Sequence, residues 1–203
     1  MSTTEHLDPA AMQREEVDAA HRAPDTDPTV HVDPRGLAIA TDAARALVDH
    51  LGDGALEWRV WRDEVTVTVA PDSLVAAARW LRDVSGFGLL SDISPCDRLG
   101  SEHAHPARFN VDYVTTKLVP GAPRVRIRTW VDEGQPLASL IEVWPTADWH
   151  EREAWDFFGI EFTGREGLRR LIMPDDWVGH PLRKDYPIGG EPVQFTNSPR
   201  EVH

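Results

Sequence analysis

Four charged residues, Glu151, Arg152, Glu153 and Asp156, crowd the stretch EREAWDFFGI at 151–160, pressed against large apolar side chains. Two carboxylates such as Glu151 and Asp156 are the raw material of a general acid/base pair, the pairing that cleaves glycosides. No nucleophile or sugar-binding cluster accompanies them. His150 and Glu151 open like a zincin helix, but HExxH needs a second His one turn on, and Ala154 stands there. Glu102, His103 and His105 are ligating types in the polar loop EHAHP, where solvated histidines are the simpler reading. His180, in GHPLRKDYP, reads as a hydrogen-bonded loop residue. Cys96 stands at the end of a strand-like run and reads as a small buried hydrophobe, not a nucleophile. GDG and GFG lack both the GxGxxG spacing and the GK[ST] ending of phosphate loops, and GxSxG is absent. Nothing assembles into a self-sufficient active site.

The charges have a structural reading as well. On a helix, Glu151, Trp155 and Phe158 share one face, and Asp148, Arg152 and Asp156 share another. Asp148 is predicted to cap this helix with Glu151 reaching back, a capping box with Asp in the Ser/Thr role. Glu151 thus points with aromatics, and a carboxylate drawn to a buried face needs a cationic or hydrogen-bonding partner or loses its charge. Candidate partners follow at Arg169, Arg170, Arg183 and Lys184. The residues therefore point to an ion-pair network that pins the C-terminal segment to the helix.

The elements that must position these groups emerge from the patterning. Residues 1–35 carry eight acidic and three basic residues with scattered prolines, and read as a disordered acidic tail. Thr41 is the expected cap of a helix through TDAARALVDHLG, stopped by Gly52 and Gly54. LEWRVW and VTVTV alternate as a strand pair, with Val65, Val67 and Val69 on one face and Thr66 and Thr68 on the other. Pro71 sits in the first turn of a second helix, PDSLVAAARWLRDV. GFGLLSDISPCDRL, ARFNVDYVTTKLV and RVRIRTWV are three further strands, and a third helix begins near Asp148. The order predicts an α+β fold over 36–160, a mainly antiparallel sheet with helices on one face. Beyond it, 161–203 is rich in Pro, Gly and charge yet keeps Leu168, Leu171, Ile172, Met173, Trp177, Tyr186 and Phe195. So many large apolar groups need a surface to cover them, so this segment reads as an extended strap that docks on its own domain or on partner subunits.

Composition narrows the function classes. At 203 residues the chain is long enough for one substantial core, and 41% hydrophobic content with eight Trp marks a folded protein. A net charge of −13 argues against nucleic acid and against anionic lipid as partners. The single cysteine excludes intrachain disulfides and four-cysteine iron–sulfur or zinc sites. No apolar run approaches the roughly 18 residues of a membrane span, and MSTTEHLDPA has neither a basic n-region nor an apolar h-region. The expectation is a cytoplasmic protein, peripheral to a membrane only through partners.

EREAWDFFGIEFTG followed by LRRLIMPDDWVGHPLRKDYP resembles the signature of the thirty-kilodalton or C-type subunit of respiratory complex I, the proton-pumping NADH:quinone oxidoreductase. The match is dense from about 148 to 187, and the order of elements from about 37 is compatible with that family's α+β domain. One departure is visible. Where the family usually has His after the Gly of the FxG turn this chain has Arg165, and Glu166-Gly167 replaces the usual Pro-Asp. The resemblance implies a subunit of the hydrophilic arm without cofactor or active site of its own. FMN, iron–sulfur clusters and quinone would lie in partner subunits, and its neighbours would be the B-, D- and I-type subunits of the quinone-reducing module at the cytoplasmic side of the cell membrane. The motif positions that carry over are Glu151, Arg152, Glu153, Asp156, Arg169, Arg183, Lys184 and Asp185, in structural and docking roles, with Trp177 and Tyr186 as aromatic anchors. A related subunit of a membrane-bound hydrogenase or other quinone-linked dehydrogenase shares the same module.

Overall fold

The computed structural model describes residues 33–101 and 105–187, so the acidic stretch 1–32 and Phe195 lie outside the described residues. Helix α1 spans Pro34–Leu51, so it begins two turns ahead of the Thr41 expected as its cap. The signal overlooked was Asp-Pro: Asp33 accepts from the Arg35 backbone N–H at 2.9 Å, and Pro34, whose fixed φ suits a first helical position, follows it. Thr41 lies inside the helix and its hydroxyl donates to the Leu37 carbonyl at 2.8 Å.

Strands β1 (Ala55–Trp61) and β2 (Glu64–Val69) form the expected antiparallel pair. A 3₁₀ turn at Pro71–Ser73 leads into helix α2, Leu74–Asp83. The three further strands follow as β3 (Leu89–Asp97), β4 (Phe109–Thr116) and β5 (Arg124–Val131). The five-stranded sheet has the order β1-β2-β5-β4-β3, antiparallel throughout except where β2 meets β5 in parallel. A two-residue strand β6 (Leu137–Ala138), helix α3 (Ala147–Phe158) and a second short strand β7 (Phe162–Thr163) complete the regular elements, with β6 and β7 paired in parallel.

The period-2 pattern decides which side of the sheet is covered. Val65, Val67 and Val69 of β2, Val111 and Tyr113 of β4, and Val125 and Ile127 of β5 are all buried, and with Ala44, Leu47, Leu74 and Leu81 of α1 and α2 they form the core. α1 packs on β2, β5 and β1, and α3 packs on β3. The alternate residues, among them Arg59, Thr66, Asp112, Arg126 and Arg128, occupy the opposite face. This one-sided α+β arrangement is the architecture expected from the sequence. From Gly164 to Pro187 the chain runs through turns and bends without helix or strand.

Candidate docking site

Helix α3 is the post to which the C-terminal segment is tied. It starts with Thr146 at the N-cap position and no side-chain cap bond, so the expected Asp148–Glu151 capping box does not form. Asp148 lies in the first turn, and Arg165 Nη2 donates to its Oδ1 at 2.5 Å. Gly159 ends the helix in the left-handed region, its N–H donating to the Trp155 carbonyl at 2.8 Å.

Three buried carboxylates do the tying, two on α3 and one at the end of β3. The first, Glu151, is 0% exposed. Its Oε1 accepts from the Leu140 N–H at 2.7 Å, and its Oε2 accepts from the Ser139 hydroxyl at 2.7 Å and from Arg165 Nη1 at 3.3 Å. Its cation is therefore Arg165, the position where this chain departs from the family signature, and not one of the four candidates named from sequence. Burial pushes the Glu151 carboxyl up from its ordinary value, and the bonds from Ser139, Leu140 and Arg165 only partly oppose that.

The second, Asp156, is also 0% exposed. Its Oδ2 gathers the backbone N–H groups of Leu171 (3.0 Å), Ile172 (2.8 Å) and Met173 (3.0 Å), while Arg170 Nη1 donates to Oδ1 at 2.7 Å. Burial pushes this carboxyl up, but the amides of Ile172 and Met173, the Arg170 guanidinium and the Leu171 amide together hold it below the ordinary range. Arg170 then spreads outward, donating to the carbonyls of Trp177 (2.8 Å) and Gly179 (3.0 Å), so one guanidinium fixes both sides of the turn that follows.

The third, Asp97, was not singled out from sequence. It accepts from the Lys184 N–H at 3.0 Å, the Leu99 N–H at 2.9 Å and the Arg108 guanidinium at 2.9 and 3.2 Å. Burial raises its carboxyl, and the donors from Arg108, Lys184 and Leu99 more than reverse this. Arg108 reaches on to Glu133 and Asp185, each at 2.7 Å. The segment is thus attached at 165, at 170–173 and at 184 by one buried carboxylate each, with Asp148 a second acceptor at 165.

The remaining signature residues divide by which of their atoms are used. Arg152 donates to the carbonyls of Arg169 (3.3 Å) and Arg170 (3.1 Å), so Arg169 contributes its backbone while its side chain is exposed. Lys184 likewise contributes its N–H. Arg183 donates to the Phe158 carbonyl at 2.6 Å and to Glu133 at 2.5 Å. Glu153 is exposed. Trp177 and Tyr186 stack on each other with centroids 6.4 Å apart. Ile172, Val178 and Leu182 turn outward at 57%, 84% and 52% exposure.

Glu151 and Asp156 are sealed from solvent and engaged by donors of this chain, which removes the accessibility an acid/base pair requires. No group of three or more metal-ligating side chains occurs among the described residues. Glu102 and His103 lie outside them, and His105 stacks on Trp130 at 5.1 Å and shares a hydrogen bond with Ser101 at 3.1 Å. No helix among the described residues is long and apolar enough to cross a membrane.

Fold and site together define a one-sided α+β domain whose buried charges secure an irregular C-terminal segment against one helix and one strand end. Residues 67–192 match the family model described as "Respiratory-chain NADH dehydrogenase, 30 Kd subunit". The chain belongs to that family, and so is a subunit of NADH-quinone oxidoreductase. The C-type subunit of NADH-quinone oxidoreductase from Geotalea uraniireducens is 41% identical over 155 residues, spanning 76% of this chain and 92% of the relative. Its counterpart from a Roseiflexus species is 42% identical over 149 residues, 72% of this chain and 83% of the relative. Among solved structures, a trypsin-resistant fragment of Nqo5, 27% identical, superposes with a TM-score of 0.55 over 65% of this chain and 98% of the fragment. A chain of the membrane-bound sulfane sulfur reductase, an archaeal respiratory membrane complex, shares the fold at 20% identity and a TM-score of 0.60, over 73% of this chain and 85% of that one.

Proposed function

We propose that the chain is a non-catalytic assembly subunit of the hydrophilic arm, clasping the B-, D- and I-type subunits of the quinone-reducing module and holding their geometry while electrons pass from NADH to quinone. FMN, the iron–sulfur clusters and the quinone site then belong to those and other partner subunits, and this chain sits peripherally at the cytoplasmic side of the membrane through them. One observation carries the reading. Glu151 and Asp156 turn inward and, with Asp97, fix the C-terminal segment, while Ile172, Val178 and Leu182 of that segment turn their apolar surfaces outward. Exposed apolar side chains on a backbone held in place form a preorganised docking surface, which lowers the ordering cost of association.

The test is to tag the full chain in its native host with Val178→Asp and Leu182→Asp together, and separately with Arg183→Ala. The double variant is expected to fold with an unchanged thermal midpoint, since both side chains are exposed, and to recover markedly less assembled complex and quinone reductase activity. Unchanged recovery and activity in both variants would overturn the proposal.

A further inference from the structure

The two edges of the five-stranded sheet are finished differently. β3 is interrupted by a bulge between Leu90 and Asp92, carries Pro95, which has no N–H to offer, and packs against α3. β1 has no proline, and among the described residues it pairs only with β2. Which of its backbone groups point outward follows from the hairpin. Arg62 and Asp63, at φ of 48° and 60°, make a two-residue turn closed by Trp61 and Glu64. The closing residues of such a turn exchange hydrogen bonds and the pattern repeats every second residue, so Trp61 and Arg59 turn their N–H and C=O groups to β2. Trp58 and Val60 turn theirs outward. This open edge also carries exposed side chains. Leu56 and Trp61 are 60% and 56% exposed, and Glu57 and Arg59 stand exposed on the helix-free side with no ion pair among the described residues.

We propose that the chain, when free of other subunits, dimerises along this edge, with β1 antiparallel to β1 of a second copy and the two-fold axis at Trp58. Charge selects both the occupant and the register. β1 reads ALEWRVW, so an antiparallel copy centred on Trp58 sets Glu57 opposite the second copy's Arg59, and Arg59 opposite its Glu57. Directly opposed residues of antiparallel strands share a face, so both ion pairs form on the helix-free side. Trp58 meets its counterpart as a hydrogen-bonded pair through the groups that point outward. The flanking Glu57–Arg59 pairs are then of the close kind, with Cα atoms about 4.5 Å apart. Neighbouring registers fail. Centring on Glu57 or Arg59 opposes like charges, centring on Val60 puts Glu57 opposite Asp63, and centring on Leu56 runs the ladder into the 3₁₀ turn at Gly52–Gly54. The Trp58 register also covers the exposed apolar groups, since Leu56 meets Val60 and Trp61 meets Ala55. On the helix side each Trp58 keeps its own Arg45, whose guanidinium lies 5.5 Å over the ring. The β1 bulge between Ala55 and Glu57 falls at the ends of the ladder, and Asp53 and Asp63 lie beyond them in turns. With one strand of seven residues from each copy, the interface is smaller than the ~1,200 Å² of stable complexes, so the dimer is reversible.

The experiment uses the full chain, purified without other subunits, in sedimentation equilibrium at low ionic strength. Wild type should show a concentration-dependent equilibrium between monomer and dimer. Glu57→Arg and Arg59→Glu, both at exposed positions, each set like charges opposite one another and should weaken self-association by about tenfold. The two substitutions together restore opposite signs and should restore the dimer. Disulfide trapping reads the register. In a Cys96→Ser background, chains carrying Glu57→Cys and mass-tagged chains carrying Arg59→Cys should cross-link with each other faster than either does with itself. A chain that stays monomeric at every concentration, a dimer indifferent to the single reversals, a double reversal that behaves like the singles, or cross-linking without preference for the 57–59 combination would each overturn the proposal.

Discussion

Arg165 and Glu151 form a buried ion pair, with Nη1 3.3 Å from Oε2 and the two side chains 3% and 0% exposed. Truncating one member of such a pair leaves the other's charge in a poorly solvated site, so Arg165→Ala should destabilise the fold at pH 7 by about 3–5 kcal/mol. The loss should depend on pH. Because the folded-state value of Glu151 lies above its ordinary 4.5, the folded protein binds that proton more tightly than the unfolded chain. The associated stability is fully present below about 4.5 and is lost as pH rises through the raised value. Removing Arg165 raises that value further, so the variant's deficit should shrink as pH falls from 7 towards 5. Urea midpoints at the two pH values check this, and an equal deficit at both would contradict it.

Asp156 draws three consecutive backbone N–H groups onto one oxygen. Asn cannot accept all of these and the Arg170 Nη1 bond while its own amide donates, so Asp156→Asn should cost about 2–3 kcal/mol. It should also free the segment locally, which trypsin will report as faster cleavage after Arg169 and Arg170. The wild-type carboxyl is held below its ordinary 3.8, so its contribution is present above 3.8 and lost as pH falls through the lowered value. The Asn variant should lack that acid-dependent step. Cleavage at the wild-type rate would show that the three amides are held by something else.

These two carboxylates also show what was legible beforehand. That Glu151 needed a partner followed from its place among aromatics on a helix, whereas Asp156 was read on the face shared by Asp148 and Arg152, and the β1–β2 pair followed from alternation in LEWRVW and VTVTV. The pairing did not follow, because it depends on how the chain turns after β7. Arg165 arrives at Glu151 only because the chain turns back over the first turn of α3. Arg169 and Lys184 act through a carbonyl and an N–H, groups every residue carries, so side-chain type was silent about their roles. Asp97 closes β3 and was not singled out, because one of the donors it serves, the Lys184 N–H, lies 87 positions away in sequence. The start of α1 was readable in Asp33-Pro34, but the acidic residues and scattered prolines before it made the region resemble a tail.

Gly159 combines a φ of +71° with crowding, since an added Cβ would stand 2.5 Å from both Arg183 Nη2 and His180 Cδ2. Gly164 has a similar φ, +78°, with nothing within 4 Å. Both Ala substitutions incur the left-handed penalty of about 1–2 kcal/mol. Only Gly159→Ala should also push Arg183 off the Phe158 carbonyl. Its thermal midpoint should therefore fall well below that of Gly164→Ala, and matching midpoints would show that the crowding relaxes at no cost.

Arg108 serves three carboxylates, and their burial ranks what each contact contributes. Asp97 is 1% exposed in its side chain, whereas Glu133 and Asp185 are 54% and 50% exposed. Solvent screens the two outer pairs, and exposed ion pairs contribute little. The inner pair cannot be screened in this way, so Arg108→Ala strands a buried carboxylate and should cost about 3–5 kcal/mol, whereas Asp185→Ala should leave the unfolding midpoint nearly unchanged. Salt separates the cases further, because about 1 M salt weakens the outer pairs and leaves the inner one largely intact. Wild type in high salt should therefore resemble Asp185→Ala, not Arg108→Ala. Losing Asp97 as a charged acceptor should also release the Lys184 N–H, so amide exchange at Lys184 should quicken in Asp97→Asn and stay slow in Asp185→Ala. Equal exchange in the two variants would mean that the far end of the segment is held by the outer charges, and that the ranking by burial is wrong.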